Sequence, residues 1–177
     1  MDELRKVYLV GTSHKFQIHD CSAEKPFERM IKELCVRHQI KALGEEMSLE
    51  ALQKKSVERS ICEVVATSLG LPHKYCDPDT EERKKIGVTT VQDSVHDDFM
   101  KNPNDKNVQN KTPIEIKIRE EFWLNKLLEL DFWPILFVCG GCHVESFSRL
   151  LTEKNKIVDV LHEDWSCPDS NLDALQT

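Results

Sequence analysis

No stretch of this chain approaches the ~18 consecutive apolar residues of a membrane-spanning helix, so no transmembrane segment is expected. The opening residues, MDELRKVYLVGTSH, combine an acidic start with a very short apolar run, unlike a secretory signal peptide. A basic excess is missing too: 24 Lys and Arg stand against 31 Asp and Glu, for a net charge of −7. A general nucleic-acid binder needs a basic face to neutralise phosphates, and an anionic membrane surface attracts the same kind of face, so neither partner is expected. No internal repeat is present. The seven cysteines are odd in number, and 177 residues bury a core without disulfide staples. They are expected as reduced thiols of a cytoplasmic protein.

What is present is ordinary globular composition, 40% apolar and 31% charged, of a length that suits one domain over 1–177. Residues 5–10 and 134–139 (PILFVC) are apolar runs of the kind that form strands buried on both faces of a parallel sheet. Shorter strands are expected at 39–43, 73–76 and 156–161. Phe27, Met30, Ile31, Leu34 and Cys35 recur at helical spacing across 24–38. Ser48 caps a long predicted helix that Gly70 ends. Thr112-Pro113-Ile114-Glu115 has the form of a capping box, opening a helix that runs to about Leu130. Val144, Phe147, Leu150 and Leu151 mark one more helix. Residues 92–111 are polar and rich in Asn, and are expected as a long loop, either a lid or plain surface. Strands alternating with helices predict an α/β fold: a mostly parallel sheet of about four to five strands between helical layers.

In such folds ligands bind beyond the carboxyl ends of the strands. The residues that follow the predicted strands are Gly11-Thr12-Ser13-His14, Gly44-Glu45-Glu46, Asp77-Pro78-Asp79 and Gly140-Gly141-Cys142-His143. Histidine and glutamate hold divalent metals and also move protons near neutral pH. Glycine lets the backbone turn sharply and leaves room for a ligand. Singly, each turn has a structural explanation: a hydrogen-bonded histidine, or acidic residues at a helix N-terminus. Together at one sheet edge, His14, Glu45, Glu46 and His143 make a candidate site. Arg119 joins them, because Ile116, Phe122, Trp123 and Leu127 place it with the apolar face of its helix. A guanidinium there needs acceptors unless only its stem is buried. The neighbouring Glu120 and Glu121 are expected to face solvent or pair locally.

Cys139-Gly140-Gly141-Cys142 has the CxxC spacing of a thiol redox pair between a strand and a helix. Only 35 residues follow Cys142, too few for a thioredoxin fold, and no second pair completes a zinc site.

Two Gly-x-x-His motifs ending at His14 and His143, the pair Glu45-Glu46 between them in sequence, and Arg119 in a later helix form an ordered set. In this the chain resembles the TraB/TIKI superfamily, which includes erythromycin esterases, the pheromone-shutdown TraB proteins and ChaN haem-binding lipoproteins. The segments GTSHKFQ, GEEMS, DPDTEERKKIGV, REEFW and CGGCHVESF resemble a compact bacterial branch of it. The resemblance spans nearly the whole chain. It implies an α/β fold with a polar site at the sheet edge, and hydrolysis by metal-dependent proteases or by esterases. This chain is shorter than most of those enzymes and lacks their extra helical regions. No secretion or anchoring segment like those of TIKI and ChaN is expected, so their substrates are not expected to carry over.

The expectation is therefore a hydrolase acting on an ester or amide in a small-molecule or peptide substrate. Glu45 or Glu46 serves as general base, His14 and His143 as proton carriers, and Arg119 orients the glutamates or stabilises an oxyanion. A divalent metal held by His14, Glu45 and His143 is the metal-dependent version. Gln17 is a candidate substrate contact. Asp77, Asp79 and Arg83 either line the pocket or build a turn and helix start. The competing expectation is a binding protein for haem, a metal or a small anion, with the same residues and no turnover.

Overall fold

The computed structural model describes residues 5–18, 24–88 and 108–167. A five-stranded, wholly parallel sheet runs through it in the order β3-β2-β4-β1-β5. The strands are β1 (Lys6–Thr12), β2 (Ala42–Glu45), β3 (His73–Tyr75), β4 (Ile135–Gly140) and β5 (Ile157–Trp165). The helices, in chain order, are α1 (His14–Gln17), α2 (Glu24–Arg37), α3 (Leu49–Lys54), α4 (Ile61–Leu69), α5 (Thr80–Ile86), α6 (Val108–Leu130) and α7 (Val144–Glu153), with a 3-10 turn at Gly141–His143. The α/β fold expected from the alternation is what the chain forms.

Side chains alternate across a strand, and that alternation sorts the core into two layers. Tyr8, Val10, Leu43, Leu136 and Val138 pack against Phe27 and Ile31 of α2 and Ile61 and Val65 of α4. Val7, Leu9, Ile135, Phe137 and Cys139 pack on the opposite face against Trp123 and Leu127 of α6 and Phe147 and Leu151 of α7. The central strands β1 and β4 are buried almost throughout, which is why they read as unbroken apolar runs. No helix among the described residues is long and apolar enough to cross a membrane.

Several boundaries differ from expectation. The segment from Ser48 to Gly70 is two helices rather than one. Ser48 accepts from the Ala51 N–H and Ser60 from the Glu63 N–H, so each helix has its own cap. Ser56, in the left-handed region at φ 55°, lies between them. The break lets Leu52 pack with Ile18 and Met47 while α4 covers the main sheet. The second strand starts at Ala42 instead of residue 39, because the Ile40 N–H still bonds back to the Cys35 carbonyl at the end of α2. It therefore continues through Glu45. The helix expected from Thr112 begins earlier, at Val108, and Pro113 falls inside it, forgoing one backbone hydrogen bond near the start of a long helix. Of the polar 92–111 stretch, residues 108–111 are helical and the rest, with the lid idea, lies outside the described residues.

Gly11 shows what close packing demands of β1. A Cβ there would run into the carbonyl oxygen of Glu163 in β5 and meet Val144 Cγ2 at 2.5 Å. Its role is thus close backbone approach rather than a sharp turn. Gly11→Ala is expected to cost roughly 3 kcal/mol, since backbone cannot yield as a side chain would. Urea denaturation measures this; an unchanged midpoint would mean that β5 moves aside freely.

Candidate functional site

Three neighbouring strands bring the site together. Thr12 of β1 lies level with Gly140 of β4, and on the other side of β4, Glu45 of β2 lies level with Val138. The chain leaving these strands carries His14, His143 and Glu46 to one edge of the sheet.

Glu46 is the centre of the arrangement and is 3% exposed. Its Oε2 accepts the Gly140 N–H at 2.7 Å. Its Oε1 accepts from Arg119 Nη2 at 2.9 Å, and the Nε2 atoms of His14 and His143 each lie 3.6 Å from the same oxygen. The two histidines differ in exposure: the His14 side chain is half-exposed, whereas that of His143 is buried. Gly140 makes room for this meeting. A Cβ on it would sit 3.3 Å from Glu46 Oε2 and 3.6 Å from His14 Nε2.

Arg119 points inward with its charged end as well as its stem. It donates to Asp77 Oδ1 from Nε at 3.2 Å and from Nη2 at 2.7 Å, and that oxygen also accepts the Trp123 indole N–H at 3.0 Å. Asp77 Oδ2 accepts from Arg83 at 2.5 Å. Burial alone pulls the Arg119 pKa down, but the carboxylates of Asp77 and Glu46 outweigh it and the guanidinium is held more firmly protonated than usual. Asp79 forms a capping box with Glu82 and so builds the start of α5. Gln17 is fully buried, with its Nε2 3.4 Å from His14 Nδ1, on the far side of that ring from Glu46.

Two placements correct the sequence-based expectation. Glu120 does not face solvent: it is 2% exposed, and its Oε1 lies 2.9 Å from His143 Nδ1 and 2.5 Å from the Ser146 hydroxyl. The signal for this was present, since Glu120, Trp123, Leu124 and Leu127 share helical spacing, and the last three are core residues. Glu121, by contrast, is exposed.

Glu45 does not join Glu46. It lies on the strand face that Leu43 shares with α4, where its Oε1 accepts from the Ser60 hydroxyl and meets His73 Nε2 at 2.8 Å. Tyr75 stacks edge-on against His73 and donates to Glu63 at 2.6 Å. Burial, then Glu63, raises the Tyr75 pKa, so its hydroxyl stays a donor. His73 was not visible as a partner in sequence, because only the β2–β3 register brings it to Glu45.

The expected metal set of His14, Glu45 and His143 is therefore not assembled. Glu46 stands where Glu45 was expected, but both its oxygens already accept hydrogen bonds, one of them from a cation. A guanidinium at 2.9 Å opposes a second positive charge on that oxygen. No group of three or more metal-ligating side chains among the described residues is disposed to hold an ion. The donor set does not fit a divalent metal.

The CxxC pair is equally unsuited to redox exchange. Cys139 is buried in the core beneath α6 and α7, while Cys142 is exposed. Burial pushes the Cys139 thiol well above its ordinary value, and Glu46 and Glu120 add to the rise. Cys142 is raised as well, by burial and then Glu46. A reactive pair needs the opposite shift.

A cavity of about 480 Å³ opens beside Asp77 between α3 and α5, lined by Ser48, Glu50, Tyr75, Asp79 and Glu82 among others. It borders the arginine network and does not reach the histidines. No protein-family model, no curated protein and no solved structure matches the chain.

Proposed function

We propose that this chain is a hydrolase that activates water at the Glu46–His14–His143 cluster to cleave an ester or amide in a small-molecule or peptide substrate. One observation carries the reading: two imidazoles from separate turns present Nε2 to a single oxygen of a buried carboxylate, each at 3.6 Å. That distance exceeds a direct hydrogen bond and leaves the atoms to share a water seated beside them, at the mouth of the cluster, rather than between them. Glu46 already accepts from Arg119 and from Gly140, so proton transfer falls to the imidazoles and Glu46 holds the water. His143, buried, takes the proton. His14, open to solvent, returns one to the leaving group. Arg119 fixes Glu46 in place, with Asp77 and Trp123 behind it. The TraB/TIKI likeness of the motif order points to the same class of chemistry. A small-anion binding site is less well supported, because Arg119 directs its Nε and Nη2 donors at Asp77 and Glu46.

The test is a panel of carboxylic esters and amides assayed with the wild type and with His14→Ala and His143→Ala. Turnover is expected in the wild type, reduced about 10²-fold or more in each variant. Hydrolysis that survives in both variants would remove the mechanism. Tight retention of a small molecule with no turnover would replace it with a binding role.

A further inference from the structure

The buried carboxylate behind His143 has no part in the water-holding cluster, and its geometry bears on which nitrogen of His143 carries the proton. Neutral imidazole has one donor nitrogen and one acceptor nitrogen. Glu120 Oε1 lies 2.9 Å from His143 Nδ1 and also has the Ser146 hydroxyl at 2.5 Å. A carboxylate oxygen so placed accepts, so Nδ1 is the donor. In the neutral ring the opposite nitrogen, Nε2, then carries the lone pair, and it lies 3.6 Å from Glu46 Oε1. Two acceptors at that separation repel each other unless a group seated beside them donates to both. A water does so with its two hydrogens, and is thereby oriented to lose one of them to Nε2. The ring has little freedom to turn away: Trp123 packs edge-on against it at 4.9 Å, and its side chain is 7% exposed.

His14 provides the contrast. Its Nδ1 faces the amide of Gln17 instead of a carboxylate, and its ring is half-exposed. Among the described residues, no carboxylate is placed against its Nδ1 as Glu120 is against that of His143.

We propose that Glu120 is a positioning residue that fixes the His143 tautomer through Nδ1, and so makes His143 rather than His14 the proton acceptor of the site. The role of His143 in turnover rests on the hydrolase reading; its tautomer does not. Glu120 acts through His143 and touches no substrate.

The experiment is ¹⁵N–¹H correlation spectroscopy of the histidine side chains in protein labelled with ¹⁵N-histidine, with His143 assigned by His143→Gln. The wild type is expected to show neutral His143 protonated at Nδ1. In Glu120→Ala the proton moves to Nε2, His14 keeps its spectrum, and turnover of any panel substrate falls about 10²-fold or more with KM little changed. Glu120→Asp restores the wild-type tautomer and part of the rate. A wild-type His143 protonated at Nε2 would overturn the proposal, as would a Glu120→Ala protein with an unaltered tautomer. Should Glu120→Ala not fold, the wild-type spectrum decides by itself and Glu120→Gln, which keeps the shape, replaces the variant arm. A Nδ1-protonated His143 in a protein that hydrolyses nothing would defeat the hydrolase reading alone. Active protein with the other tautomer would defeat this inference alone.

Discussion

Arg119→Met is expected to lower Tm by roughly 6–20 °C, the equivalent of about 3–5 kcal/mol in a protein of this size. The substitution keeps much of the side-chain volume and removes only the charge and the donors. What remains is a pair of carboxylates, Glu46 at 2% and Asp77 at 10% side-chain exposure, with their shared cation gone. Arg83 still meets Asp77 Oδ2, but among the described residues Glu46 Oε1 is left with two imidazoles at 3.6 Å and no guanidinium. Such groups cannot recover their hydration without opening α6 from the sheet, and that is the source of the large cost. Arg119→Lys should fall between, since a single ammonium cannot serve both carboxylates with a planar fork. Thermal denaturation followed by circular dichroism checks this, together with Asp77→Asn/Arg119→Met. The double variant is expected to lose less than the sum of the single losses, because each change removes the other's partner. A Tm for Arg119→Met within a degree or two of the wild type would mean that the network contributes nothing to stability.

Two adjacent glutamates are expected to give opposite phenotypes. Glu46→Gln preserves shape and can still accept the Gly140 N–H, but it loses the charge that pairs with Arg119 and faces both imidazoles. On the hydrolase reading its turnover falls about 10²–10⁴-fold, with a smaller change in stability. Glu45→Gln leaves that cluster intact. It disturbs a wholly buried acceptor that Ser60 and His73 share, at the start of α4. Its cost is expected as stability, about 1–3 kcal/mol, with turnover near the wild-type value while the protein stays folded. Measuring kcat and urea midpoints for both variants separates the two roles. A Glu45→Gln protein that loses turnover while keeping its stability would return Glu45 to the chemistry and undo the assignment made from strand direction.

Misplacing Glu45 in a reading of the sequence has a simple cause. Side chains alternate along a strand, so a boundary misplaced by one residue decides whether Glu45 is the last strand residue, pointing at a sheet face, or the first residue of the turn. The apolar run QIKAL suggests a strand that stops before Gly44. The strand in fact starts at Ala42 and continues through Glu45, so Glu45 is a strand residue facing α4, and only Glu46 reaches the edge. The helix break near Ser56 has a related cause. Leu52 and Val65 both fit one helical stripe, and no proline or glycine interrupts them, so the change of direction comes from packing against different neighbours. Glu120 shows the reverse case. Its spacing marks it as inward-facing, yet a carboxylate is placed inside only when a partner is known, and His143 lies on a distant turn.

The layered α/β class, the buried central strands, most of the core of α2, α6 and α7, and the inward direction of Arg119 were legible in the amino-acid pattern. These follow from periodicity, which each short segment carries within itself. The strand order that seats β4 between β1 and β2, and with it which carboxylate meets which imidazole, emerged from folding. It set Glu46 against His14 and His143, Glu120 behind His143, and Glu45 with His73. Those pairings join residues far apart in the chain. Their partners are fixed by sheet register and helix packing, and no local pattern in the sequence records them.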